Sequence, residues 1–146
     1  MAIALLDTNI LIDIANGVEA ARDEVLYYSD VAISNITYIE FVVGLRARLQ
    51  SGRFKVPEFD LQMTLVRRLQ KIDITDRIAD AAIDLRCGSL LGGPRIKLPD
   101  AIICATAIVT GRYMVTRDPR GFTGPNIRIP YQIDSQGRVV DIAPPV

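Results

Sequence analysis

Four short apolar runs punctuate the chain: IALL (3–6), VAIS (31–34), IDI (72–74) and YMVT (113–116). The first and last are continuous rather than alternating, the pattern of strands covered on both faces. Segments with helical spacing lie between them: 9–15, about 19–28, 36–50, 58–70 after Pro57, 75–91 from Thr75-Asp76, and 99–110 between Pro99 and Gly111. Thr before a first turn, Pro as a first helical residue and Gly past the last are helix-end signals. Strands alternating with helices predict an α/β fold, a three-layer α/β/α sandwich around a mainly parallel sheet of four to five strands. The stretch 117–130 reads as a loop with a short edge strand. Residues 1–130 read as the domain, and 131–146 as a C-terminal tail with a short hairpin around Ser135-Gln136-Gly137 packed on it.

A chain of 146 residues, 49% of them apolar, suits one domain with one core. No apolar run approaches the roughly 20 residues that cross a bilayer. No export signal is read, so a cytoplasmic protein is expected, with Cys87 and Cys104 as buried thiols. There is no His. That removes the commonest acid–base group at neutral pH, and with it a Ser-His-Asp or Cys-His hydrolase or a two-His ribonuclease. Two Cys without His also fall short of a zinc site. A hydrolase built from this chain has carboxylates and a metal to work with.

Four acids occupy unusual places. Asp7 ends the first apolar run. Glu40 lies among Ile39, Phe41, Val42 and Val43. Asp100 follows Pro99 at the start of a nearly uncharged helix, and Asp118 follows the last strand. Each has a plain structural alternative. Asp7 can simply be leaving the core, Glu40 can close a Thr37-x-x-Glu40 capping box, Asp100 can serve the helix dipole, and Asp118 can start a turn before Pro119. In parallel sheets, however, ligands bind at the carboxyl ends of strands. Acids gathered there repel one another and push their pKa values up unless a cation sits among them. Oxygen donors alone favour Mg²⁺ or Mn²⁺, and metal-assisted phosphodiester hydrolysis is the chemistry implied.

The blocks LLDTNIL, ISNITYIEFVVGL, KLPDAIICATAI and MVTRDPRGF, in that order and spacing, resemble PIN domains, and among them the VapC-type toxins of toxin–antitoxin pairs. The resemblance spans residues 4 to 122 and does not cover the tail from Tyr131; Gly121 stands where many relatives have Asp or His. It implies that Asp7, Glu40, Asp100 and Asp118 bind Mg²⁺ or Mn²⁺ and carry catalysis, with Asn9 and Thr116 supporting them by hydrogen bonds. It implies a homodimeric endoribonuclease that cuts RNA such as tRNA or ribosomal RNA and is silenced by a cognate antitoxin. With four of the 17 acids on metal, the remainder leans basic by four. Arg46, Arg48, Arg112, Arg117 and Arg120 are then candidate phosphate contacts. Two other readings stand beside this one. One is a PIN-like module that binds protein or nucleic acid without cutting. The other is a haloacid-dehalogenase-like phosphatase, which needs a second Asp where Asn9 stands.

Overall fold

The computed structural model describes residues 1–146 except Thr123 and Pro125, so the part of the 117–130 loop expectation that falls on those two lies outside the described residues. The chain runs β1 (Ile3–Leu6), α1 (Thr8–Ala15), α2 (Glu19–Val25), β2 (Asp30–Ser34), α3 (Asn35–Gln50), α4 (Val56–Arg68), β3 (Gln70–Ile72), α5 (Asp76–Leu91), α6 (Leu98–Thr110) and β4 (Tyr113–Val115). A 3-10 turn (Pro119–Gly121), β5 (Ile127–Arg128), β6 (Gln132–Ile133) and β7 (Val139–Val140) follow. Five strands form one sheet in the order β3-β2-β1-β4-β5, and every pair in it is parallel. β6 and β7 pair antiparallel as a separate hairpin.

Side chains alternate across β1, so its neighbours split between two faces. Ala4 and Leu6 pack with Ile10, Leu11, Phe41, Val42, Leu45 and Val66, which come from α1, α3 and α4. Leu5 points the other way, onto Ile103 and Ala107 of α6. α5 lies against α6 through Ile78, Ala82 and Ala105. The result is the α/β/α sandwich with a parallel sheet.

Three expectations shift. β3 pairs as Gln70–Ile72 and not as 72–74, because an edge strand is fixed by backbone pairing to Ala32–Ser34 and tolerates exposed polar side chains. Ile74, the residue that made the apolar run, lies exposed beyond it. α4 starts at Val56, with Pro57 inside its first turn. Cys104 is buried in α6, whereas Cys87 is exposed on α5, so only one thiol is buried.

The strand order reverses direction beside β1. Crossovers through α1–α2 and α3–α4 build outward to β2 and β3; the α5–α6 crossover then returns to place β4 on the other side of β1. The carboxyl ends of β1 and β4 therefore flank a switch point, where helices leave toward opposite faces and open a crevice.

Candidate active site: a carboxylate cleft at the switch point

Asp7 follows β1 directly and is only 8% exposed. It is the N-cap of α1, with Oδ1 accepting from Thr8 N at 2.7 Å. Oδ2 accepts from Thr116 Oγ1 at 2.7 Å and from Asn9 Nδ2 at 3.2 Å. Thr116 follows β4, the strand paired with β1, so these contacts tie the two strand ends together. Asn9 also donates to Thr116 Oγ1 and accepts from Arg117 N, both at 3.2 Å. Asn9 and Thr116 thus support Asp7 by hydrogen bonds.

Glu40 is not part of a capping box. The N-cap of α3 is Ser34, whose hydroxyl accepts from Thr37 N at 3.0 Å. Glu40 sits beyond the first turn, and its Oε2 accepts from Thr8 Oγ1 at 3.2 Å. Asp100 lies in the first turn of α6. Asp7, Glu40, Asp100 and Asp118, with Thr8, Asn9, Ile12 and Phe122, line one cleft of about 290 Å³.

The electrostatics separate three acids from the fourth. Burial, and then the charges of Asp100 and Glu40 against the relief of its hydrogen bonds, pushes the Asp7 carboxyl up to about 6. Burial also pushes Glu40 up, and Asp100 adds to it. Asp100 is raised by burial and by Asp118, while Lys97 pulls it down. Asp118 moves the opposite way, to about 2, because Arg120 binds it through Nε at 2.9 Å, Nη2 at 2.8 Å and its backbone N–H. Burial and the neighbouring acids therefore outweigh the hydrogen bonds and Lys97 at three of the acids, whereas a guanidinium prevails at the fourth.

The arginines divide. Arg46 and Arg120 are exposed, and Arg48 lies over the Phe54 ring. Arg112 is buried, with its guanidinium on Asp30 and on Ala4 O, so its side chain serves the sheet's amino end and does not face the cleft. Arg117 turns its side chain inward to Asp13, at 2.7 Å from Nε. Asp13 went unnoticed in the sequence. It is 4% exposed and accepts from both Arg117 and Tyr131. The available signal was a lone acid one helical turn after Asn9 in the apolar run NILIDIA.

Among the described residues, the side-chain donors lining the cleft are oxygens or an amide, a set suited to a hard divalent cation. Among the described residues, no three acids close into a ready-made metal cluster. An open arrangement of this kind is compatible with Mg²⁺, which keeps several of its own waters.

The chain matches the PIN domain model over residues 4–123. A toxin–antitoxin complex from Klebsiella pneumoniae contains a chain of 32% identity and TM-score 0.72, over 89% of this chain and 99% of that one. A DNA-bound VapBC from Salmonella typhimurium gives 27% identity and TM-score 0.71, over 88% and 96%. VapBC2 from Rickettsia felis, bound to a promoter DNA fragment, aligns at 24% identity and TM-score 0.68 over 80% and 88%, a likeness of fold alone. The comparison with curated proteins gives no match. By sequence and by fold, this chain belongs to the PIN domain family.

Proposed function

We propose that the protein is a magnesium- or manganese-dependent endoribonuclease, the toxin of a cytoplasmic toxin–antitoxin pair, active as a homodimer on RNA such as tRNA or ribosomal RNA. The observation that carries this reading is the meeting of Asp7, Glu40 and Asp100 in one cleft at the β1/β4 switch point, each with its carboxyl raised by burial and by another acid. Such a group is costly as free carboxylates and favourable around a divalent cation. Membership of the PIN family and the likeness to toxin–antitoxin complexes support the same reading.

Asp7 and Asp100 are the most direct metal ligands in this reading, and Glu40 and Asp118 complete or orient the shell. A bound divalent cation supplies charge for the phosphate and acidifies a water. The protein's own part is placement. Thr116 and Asn9 fix Asp7 Oδ2, and Thr8 fixes Glu40 Oε2. Exposed Arg120 sits beside the cleft paired with Asp118, and in this reading it turns to a phosphate oxygen when Asp118 serves the metal. With no His in the chain, the proton lost by the attacking water passes to a carboxylate or to solvent.

Incubating purified protein with total RNA and Mg²⁺ tests this directly. Cleavage that EDTA abolishes and excess Mg²⁺ restores supports the reading. RNA bound but left intact under every divalent metal favours the binding module.

In this reading the antitoxin covers α3 and α4. Ile39 and Val43 of α3 and Val56 and Leu61 of α4 are exposed apolar residues on neighbouring helices, the surface that an amphipathic helix covers. A complex whose interface lay wholly on 19–30 and 131–146 would contradict this placement.

A further inference from the structure

The C-terminal tail lies beyond the part of the chain that matches the PIN model, yet Tyr131 and Gln132, where it enters the hairpin, reach the network behind the cleft. Tyr131 is 1% exposed and packs with Ile10, Leu11 and Val115. Its hydroxyl donates to Asp13 Oδ2 at 2.7 Å. The same carboxylate accepts from Arg117 Nε at 2.7 Å and, through Oδ1, from Nη2 at 3.3 Å. Gln132 Nε2 donates to Arg117 O at 2.9 Å. Arg117 is thereby held at its side chain and its carbonyl, and its N–H donates to Asn9 Oδ1. Asn9 Nδ2 in turn donates to Asp7 Oδ2. Asp13 and Asn9 are one turn apart on α1, so the hairpin braces both ends of a short rigid link.

We infer that the hairpin is a positioning device for the carboxylate cleft: Tyr131 and Gln132, through Asp13 and Arg117, fix Asn9 and with it the carboxylate of Asp7. The tail is then part of the working site and not an appendage. Arg117 belongs to the same device, because its guanidinium is spent on Asp13 and is not offered to RNA. This rests on the metal-site reading of Asp7. Residues that orient a ligand from behind typically change metal affinity or activity by 10–100-fold when removed. Gln132 stands two links behind Asn9, through Arg117, and Tyr131 three, through Asp13 and Arg117, so a loss no greater than the lower end is expected.

The test compares Tyr131→Phe with Val139→Ala, which thins the hairpin's packing on the core without touching the network. Mn²⁺ affinity is measured alone by its effect on water proton relaxation, and each protein is melted. Tyr131→Phe should weaken Mn²⁺ by about tenfold, while Val139→Ala melts lower but binds Mn²⁺ as the wild type does. Gln132→Ala carries the same test should Tyr131→Phe fail to fold. The side-chain amide of Asn9, followed by nitrogen-15 NMR, gives a second readout: the variant should shift and broaden it. Unchanged Mn²⁺ affinity with an unchanged Asn9 amide would overturn the inference. A wild type that binds Mn²⁺ but cuts no RNA sinks the ribonuclease reading and leaves this comparison intact. A wild type that binds no Mn²⁺ sinks the metal reading, and the Asn9 signal then decides the positioning alone.

Discussion

Asp7 serves as helix cap and cleft carboxylate at once, and its titration separates the two roles. Its carboxyl sits near 6 in the folded protein against an ordinary 3.8, so the native state holds a proton that the unfolded chain releases. Stability of the metal-free protein therefore falls as pH rises from about 4 to about 6. At neutral pH the penalty approaches about 3 kcal/mol. Asn remains a good cap and carries no charge. The melting temperature of Asp7→Asn relative to wild type, both metal-free, should accordingly rise between pH 4 and pH 7. A gap that stays constant with pH would show that charge burial is not what Asp7 costs. Single residues were unevenly legible. A carboxylate closing an apolar strand is visible in MAIALLD, because burial on both sides leaves a continuous run. The pairing of Asp118 with Arg120 was not, since it depends on the 3-10 turn that brings the two together. Nor was the burial of Arg112, which depends on the packing of β4 beside β1.

α3 shows what a helix-level reading supplies and what it leaves out. Its extent is plain from the spacing in NITYIEFVVGLRARLQ, and its cap, Ser34, lies three residues before the Thr37 that the capping-box alternative required. Gly44 interrupts it at an exposed position where an added Cβ would meet no atom within 4 Å. Gly44→Ala should stabilise the protein by about 0.5–1 kcal/mol, since Gly costs that much in a helix interior. Urea melts with unchanged m-values would measure it. A loss of stability would mean that the α3 surface is not open. The short strands were less legible than the helices. β3 and β5 have three and two residues, too few for apolar periodicity to fix a boundary, and partner strands set their register instead.

The strand order β3-β2-β1-β4-β5 is what joins distant blocks of sequence. Strand–helix alternation announced a parallel sheet, but alternation does not say that β4 lies beside β1. Only that adjacency brings Asp7 to Thr116 across 109 residues and opens the cleft that Glu40 and Asp100 share with it. The tail's part was hidden for a similar reason: a Tyr in an irregular segment gives no sign that its hydroxyl will reach a buried Asp on α1. If the cleft is a metal site, Asp7→Asn keeps the cap and removes the charge that holds the ion. Mg²⁺-dependent cleavage of total RNA by that variant is the decisive measurement. A fall in rate of roughly a thousandfold or more, in a protein that still folds, is the outcome required of a metal ligand. A variant that folds and cuts at the wild-type rate would make Asp7 a cap alone and leave the cleft without its central ligand.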